Sequence, residues 1–327
     1  MKEKVDILLA TYNTNINYLI EQIDSILNQT YANFNLLISD DNSTNSVVIK
    51  KLKEYEEKDK RIKLFLQKEN KGCLKNFEFL LNQSTANYIM FSDHDDIWYP
   101  EKIEKSLKKI LESGVSLVYS DARQIGENGE ILHESYLKYK NMPFLKGKDN
   151  ISFFTRHTVI GCSQIFTKQI KEKMLPFKKS VIAHDWLSIY IASKENGVEY
   201  IEEQLLDYRL HSKNIFGGRS FKQNIKIWKD KNSNNYSSYL EYRNKVIEDA
   251  YLKGSKMCFE YSNQYKKNEE EKKAIEYYEK LLKTKVINLS ICKYFRYLYF
   301  KGAKERAIKE LVIFHFPILG YIIYTIS

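Results

Sequence analysis

Proline and cysteine are scarce in this 327-residue chain, at four each, and its longest apolar stretch is only the sixteen residues 311–326. Few prolines, 25 tyrosines and 43% hydrophobic residues exclude the disordered and low-complexity classes. The cysteines, Cys73, Cys162, Cys258 and Cys292, stand far apart with no CxxC pair. Neither a zinc site nor a disulfide framework is therefore suggested, and a reducing cytoplasm suits them. Near the N-terminus the only apolar run is VDILLA, too short for a signal-peptide core, so no secretion is expected.

The length suggests two domains, or one large domain with an appendage, because single cores stop growing at roughly 250 to 300 residues. The net charge of +10 is unevenly placed. From Phe221 onward there are 21 Lys and Arg against 12 Asp and Glu, so the basic character belongs to the C-terminal third.

Residues 1–125 alternate buried-looking strands with amphipathic helices, the pattern of a parallel sheet wrapped by helices. Strands are predicted at 5–10, 34–41, 62–67, 87–93 and 116–122, and helices at 17–28, 46–61, 74–84 and 100–114. Residues 126–220 are less regular, with a turn at 127–129, a short strand-like VIGCSQIF (159–166) and a helix opening at AHDWLSIYIA (183–192). The rest reads as helical. Three polar clusters follow strands: Thr11-Tyr12-Asn13, Asp40-Asp41-Asn42-Ser43 and Asp93-His94-Asp95-Asp96. In an open sheet such ends share one crevice, where ligands bind.

Carboxylates packed as closely as those of FSDHDDIW (91–98) repel one another unless a cation or backbone donors compensate them. Mg²⁺ or Mn²⁺ would do so and would bind substrate phosphates at the same time. The bland alternative is an acidic helix start. ISDDNS (38–43) has two readings as well, a turn capping the helix near Ser46 or a site accepting a base N–H or ribose hydroxyls.

The order of the motifs resembles the inverting glycosyltransferases of family 2. The resemblance is carried by DILLATYN (6–13), SILNQTY (25–31), LLISDDNSTN (36–45), ENKGCLKN (69–76), FSDHDDIW (91–98), GCSQIF (161–166), HDW (184–186) and YRLHSKN (208–214), over about residues 4–218. It implies an α/β fold, a GT-A (Rossmann-like nucleotide-diphosphosugar transferase) domain with a helical C-terminal region. The expected division is 1–220 for the catalytic domain, with a nucleotide-binding half (1–125) and an acceptor-binding half (126–220), followed by 221–327.

By the same resemblance Thr11, Tyr12, Asn13 and Asp41 contact the nucleoside, and Asn70, Lys71 and Asn76 line the same side. Asp93 and Asp95 form the D-x-D pair, with Asp95 the more direct metal ligand and Asp93 shared between ribose and metal. Trp98, Gly161 and Cys162 border the sugar, and His211 closes over the diphosphate or metal, its alternative being a surface histidine on a basic loop. Asp185, opening a helix after the GC motif, matches the general base that an inverting transfer needs. Its alternative is an ordinary first-turn helix acid.

The implied activity moves a sugar from a nucleotide-diphosphate donor to a hydroxyl of a growing, lipid-linked surface glycan, with Mn²⁺ or Mg²⁺ as cofactor. SD-x-DDIW followed by HDW and YRxHxxN is similar to bacterial rhamnosyltransferases and related polysaccharide enzymes, with His94 at the x where glutamine is common in that subgroup. This leans the donor toward dTDP-rhamnose, with UDP-hexoses next. One rival is a sugar-nucleotide nucleotidyltransferase, but LLATYNTNIN lacks the glycine-rich loop expected for a triphosphate. The other rival is a scaffold with a degenerate site.

In the C-terminal region, aromatics interleaved with Lys and Arg in KYFRYLYFKGAKERAIK (293–309) suit an anionic bilayer surface. LVIFHFPILGYIIYTI (311–326) is shorter than the roughly 20 residues of a spanning helix. Attachment to the inner face of the cell membrane is one reading of this region. A buried helix making a domain or homodimer contact is the other. No nucleic-acid module accompanies the charge, so no nucleic-acid partner is expected.

Overall fold

A computed structural model describes residues 3–140, 142–149, 151–157, 159–211, 221–232, 235–265 and 269–283. They fall into two compact units. The first holds the described residues up to 139 with 144–150 and 159–210, and the second holds 140–143, 151–158 and the described residues from 211 onward. The second unit thus starts before residue 220 and takes two short earlier segments.

The first unit is α/β. Its nine-stranded sheet is built from β1 (Val5–Thr11), β2 (Phe34–Asp40), β3 (Ile62–Leu66), β4 (Tyr88–Ser92), β5 (Ile97–Trp98), β6 (Leu117–Ile125), β7 (Ile131–His133), β8 (Gln164–Thr167) and β9 (Val198–Arg209). The order is β3-β2-β1-β4-β8-β6-β9-β5, with β7 paired to β6. β1 is buried at every position, which is why it reads as one apolar run: a central parallel strand has helices on both faces. It runs parallel to β2, with Thr11 opposite Asp40, and to β4, with Leu9 opposite Ser92.

Helices α1 (Ile16–Leu27), α2 (Ser46–Lys58), α3 (Cys73–Gln83) and α4 (Lys102–Ser113) connect these strands. Asn15 caps α1 by accepting from Asn17 N, and Asn45 caps α2 by accepting from Val47 N. Gly114 ends α4 in the left-handed conformation, φ 65°.

Beyond β4 the sheet becomes mixed. β8 lies between β4 and β6 and is antiparallel to both, and β9 is parallel to β6 but antiparallel to β5. The strand expected over 159–166 begins later, because Gly161–Ser163 form a 3-10 turn. A short helix α5 (Tyr136–Tyr139) follows β7; α7 (Lys168–Met174) follows β8, and α8 (His184–Lys194) precedes β9.

The second unit is helical among its described residues. It consists of α6 (Ile151–Thr155), α9 (Phe221–Lys231), α10 (Tyr236–Ile247), a π-helical turn at Glu248–Leu252, α11 (Lys253–Ser262) and α12 (Glu269–Lys283). Ser255 Oγ on α11 donates to Phe154 O at 3.2 Å, which ties the early α6 segment to the later helices. Ile225, Tyr239 and Tyr242 form a buried cluster with Trp228 packed against it. No described helix is long and apolar enough to cross a membrane. Residues 284–327, which carry the apolar tail and the 293–309 segment, lie outside the described residues.

Candidate active site

Because β2, β1 and β4 are parallel neighbours, their carboxyl ends lie side by side, and the three polar clusters meet as expected. Thr11 Oγ1 donates to Asp40 Oδ2 at 2.8 Å, and Asp41 N donates to Thr11 O at 2.9 Å. Thr11 is therefore buried and spent on joining two strands. Asn13, with φ 44°, donates its N–H to Ser43 Oγ, while its Oδ1 accepts from Thr44 N at 2.9 Å. The Tyr12 ring stands exposed at the crevice.

Asp41 is buried, and its two oxygens accept the N–H groups of Lys71 (3.0 Å) and Gly72 (2.8 Å). The carboxylate thus holds the loop before α3 against the end of β2. Lys71 extends its ammonium to Glu69 at 3.1 Å, and Asn70 lies beside it on the same exposed loop. Asn76, on α3, donates to Ser39 O at 2.9 Å, while its buried Oδ1 has no hydrogen-bond partner.

The acidic turn spans Asp93–Asp96, between β4 and β5. Ligand atoms of Asp93, Asp96 and Cys162 lie within 4.8 Å of one another. Burial first, then the charges of Asp95 and Asp185, push the Asp93 carboxyl up to about 7, with the Cys162 thiol working against the rise. Asp96 is pushed well above the usual carboxylate range by burial and by Asp95 and Asp93. One of its oxygens accepts Arg209 N at 3.1 Å; Oδ2 is buried without a hydrogen-bond partner. The Cys162 thiol and the Tyr208 phenol, both buried next to these acids, are also raised, first by burial and then by the carboxylates.

This turn is braced from behind by Arg209, the last residue of β9, only 2% exposed. Its Nε donates to Asp95 O at 2.9 Å and its Nη1 to Glu127 O at 3.2 Å, while its Nη2 pairs with Glu21 on α1. The guanidinium also lies 4.4 Å from the Tyr18 ring centroid. Trp98 is buried, 2% exposed, so it backs the turn as part of the core rather than presenting an open face. Lys102 at the start of α4 sits 4.8 Å from the Trp98 ring centroid. Burial lowers its ammonium to about 8, against the opposing charges of Cys162 and Asp96.

Asp185 arrives from the other side. Because β8 is antiparallel to β4, the Gly161–Ser163 turn lies beside the carboxyl end of β4. Gln164 Nε2 donates to Asp185 O at 3.0 Å, and Ser188 Oγ donates to Gln164 Oε1 at 2.5 Å, fixing the first turn of α8 to β8. A Cβ placed on Gly161 would stand 3.1 Å from Asp185 Cβ and 3.4 Å from His184 Nε2. The His184 ring stacks on Phe77 at 4.1 Å. Asp185 and the Asp93–Asp96 turn therefore face one another across Gly161-Cys162.

His211, the remaining residue expected at the metal, belongs to the second unit. Arg209, Asp96 and Lys102 are the residues that motif reading left without roles. Arg209 lay within YRLHSKN, and Asp96 was visible only as the last acid of the run.

Residues 6–175 match the family profile described as Glycosyl transferase family 2. The chain belongs to this family. It is 32% identical over 227 residues to an uncharacterized glycosyltransferase of Methanocaldococcus jannaschii, covering 68% of this chain and 77% of that protein. It is 27% identical over 231 residues to the UDP-Glc:alpha-D-GlcNAc-diphosphoundecaprenol beta-1,3-glucosyltransferase WfgD of Escherichia coli, covering 68% of this chain and 83% of that one. Other matched glycosyltransferases are longer, the chain spanning 18% to 38% of their length. Among solved structures, the mannosyltransferase PcManGT of Pyrobaculum calidifontis, in complex with GDP-Man and Mn²⁺, superposes with a TM-score of 0.54. The sequences are 12% identical, and the match covers 99% of this chain and 86% of the other. That likeness concerns the fold, which is GT-A.

Proposed function

We propose that this family 2 member is an inverting glycosyltransferase of cell-surface polysaccharide synthesis. It would transfer a hexosyl or deoxyhexosyl group from a nucleotide-diphosphate donor, with dTDP-rhamnose and a UDP-hexose as the two candidates, to a hydroxyl of a lipid-linked glycan. The observation that carries this reading is the placement of Asp185 opposite the acidic turn, across a glycine that leaves room for its carboxylate.

In the proposed reaction the acceptor hydroxyl attacks the anomeric carbon on the face opposite the diphosphate. Asp185 takes the hydroxyl proton, the new C–O bond forms, and the electron pair of the broken bond leaves on the diphosphate. The exposed Tyr12 ring at the end of β1 is placed to cover a base, and the loop fixed by Asp41 brings Asn70 and Lys71 to the same side. Arg209 keeps the turn in place by holding Asp95 O.

The clustered oxygen donors of Asp93 and Asp96, with an orphaned buried oxygen on Asp96, suit a hard divalent cation. Asp93, Asp95 and Asp96 are the residues of the first unit that would hold Mn²⁺ or Mg²⁺. Such an ion would offset the charge growing on the departing diphosphate.

The name of the Escherichia coli relative, a glucosyltransferase using UDP-Glc on a lipid diphosphate-linked sugar, supports UDP-hexose as the first donor to assay. We place the reaction at the cytoplasmic face of the cell membrane, with the basic, aromatic-rich region after residue 284 as the attaching element. Its composition is the support for that placement.

The test is a transfer assay with UDP-glucose, UDP-N-acetylglucosamine and dTDP-rhamnose on a diphospholipid-linked sugar, with Mn²⁺, with Mg²⁺ and with EDTA. Cation-dependent transfer of one sugar with inversion supports the reading. Retention of configuration, or sugar-nucleotide synthesis from a sugar phosphate and a nucleoside triphosphate, would contradict it.

A further inference from the structure

The SILNQTY segment (25–31) supplies none of the candidate ligand-binding residues, yet its polar groups act together on one distant stretch of chain, residues 98–104. Ser25 Oγ accepts Trp98 N at 3.0 Å. Gln29 Nε2 donates to Tyr99 O at 2.8 Å, and its Oε1 accepts Ile103 N at 3.0 Å. Thr30 N donates to Pro100 O at 2.9 Å, and Thr30 Oγ1 donates to Glu104 Oε2 at 2.9 Å. The end of α1 is thereby tied to the chain that leaves the acidic turn.

That chain needs outside support. β5 is two residues long and ends the strand order, with Ile97 opposite Asp207 and Trp98 opposite Leu206 on β9. α4 begins at Glu101 with no side-chain cap of its own, so the N–H groups of its first turn must find partners elsewhere. Gln29 supplies one from beyond the end of another helix. It is buried, and its second Nε2 proton goes to Ser25 O at 3.1 Å, so both amide donors and the amide oxygen are engaged. Neither a carboxylate nor a hydrocarbon of similar shape could make that set.

We propose that Gln29, with Ser25 and Thr30, is a positioning residue for the reaction: it fixes residues 98–103 and so holds the downstream end of the Asp93–Asp96 turn in place. Gln29 acts through the backbone, by way of Tyr99 O and Ile103 N, rather than by contact with cation or donor. Arg209 holds the same turn from β9, through Asp95 O and Asp96 Oδ1, so the turn is braced from two elements. Groups that orient metal ligands typically carry about 10- to 100-fold of metal affinity. The cation part of this inference rests on the metal-assisted reading given above, whereas the hold of 25–30 on 98–103 does not.

The test compares Gln29→Leu with Asp6→Asn. Asp6 is a control near the amino end of β1, buried and accepting Ser84 Oγ, Thr85 N and Ala86 N, so its loss weakens the same sheet away from the turn. Thermal unfolding gives the stability lost by each variant. Amide hydrogen exchange then reports on peptides across the first unit. Mn²⁺ binding is read by electron paramagnetic resonance of the free ion, with UDP or dTDP, whichever the wild-type protein binds.

Gln29→Leu should speed exchange over 97–104 more than over β1 and β2, and should weaken Mn²⁺ binding by about tenfold or more. Asp6→Asn should show neither the local acceleration nor the weakened binding. Unchanged exchange over 97–104 in a folded Gln29→Leu protein would overturn the hold on that segment. Wild-type Mn²⁺ binding by that protein, or equal weakening by Asp6→Asn, would reduce Gln29 to a stabilising residue and overturn the positioning role. If the wild-type protein takes up Mn²⁺ with neither nucleotide, the metal reading fails, and the exchange comparison still decides whether 25–30 hold 98–103. Should Gln29→Leu not fold, Ser25→Ala and Thr30→Val carry the same comparison, and wild-type exchange and Mn²⁺ binding in both would count against the proposal.

Discussion

Replacing Gly161 with alanine tests how tightly the proposed base is held. The added methyl would lie 3.1 Å from Asp185 Cβ, 3.4 Å from His184 Nε2 and 3.5 Å from Asp185 Oδ2. Carbon atoms pack at about 3.5 to 4.0 Å, so something must move by about half an ångström. Gly161 itself is confined by the 3-10 turn, in which Gln164 N donates to its carbonyl. The helix behind Asp185 cannot retreat either: Trp186 to Ser193 are all buried, and His184 is stacked on Phe77. Asp185 Cβ can yield only with its own backbone, so the strain falls on the first residues of α8 and carries the Asp185 carboxylate with it. A general base contributes about 10²- to 10⁴-fold, and a 1 Å misplacement can cost about 10²-fold. A shift of half that size should lower kcat roughly tenfold or more while leaving donor affinity within about twofold. Overpacking should cost about 1 kcal/mol of stability. Gly161 does not have a left-handed φ, so backbone strain does not confuse the result. Initial rates at saturating donor, beside calorimetric binding of the nucleotide, give the two readings. Wild-type kcat with a well-folded Gly161→Ala enzyme would refute the packing argument and the role of Asp185 with it.

Three further outcomes are expected. Arg209→Lys cannot reach Asp95 O, Glu127 O and Glu21 together; its unfolding free energy should fall by about 2 kcal/mol, with weaker donor binding, as denaturant titration and calorimetry would record. Asp41→Ala releases two backbone N–H groups of the Lys71-Gly72 loop, and should raise KM for the donor more than it lowers kcat in steady-state kinetics. Asp93, raised to about 7 from an unfolded value near the ordinary carboxylate 3.8, binds a proton more tightly when folded. Its contribution to the stability of the metal-free protein is thus fully present below about pH 4 and is lost as pH rises toward about 7. Thermal unfolding from pH 4 to 8 should show this loss, and Asp93→Asn should flatten it.

The first four strands were legible because they are continuous apolar runs with helix starts marked by Asn15 and Asn45, and because the acids sit at strand ends. β9 was not. Its first half carries Glu199, Glu202 and Glu203 toward solvent, and only Leu205 to Arg209 are buried throughout, so no apolar period announces a twelve-residue strand. The antiparallel β8 was hidden for a different reason, since a four-residue strand after a glycine turn shows nothing of the direction of its neighbours. The clusters themselves could be read from spacing, and the bracing around them could not. Arg209 meets Asp95 and Glu21 across 114 and 188 positions of chain. Lys102 looked like one more lysine in a basic helix until its burial was known.

The central claim is that Asp185 removes the acceptor proton in a site whose donor-binding parts are separate from it. The most direct measurement compares Asp185→Asn with the wild-type enzyme in single-turnover transfer and in calorimetric binding of the donor nucleotide with Mn²⁺. The account predicts nucleotide affinity within about twofold of wild type and transfer reduced by about 10²-fold or more. Transfer at the wild-type rate by a folded Asp185→Asn enzyme would contradict it.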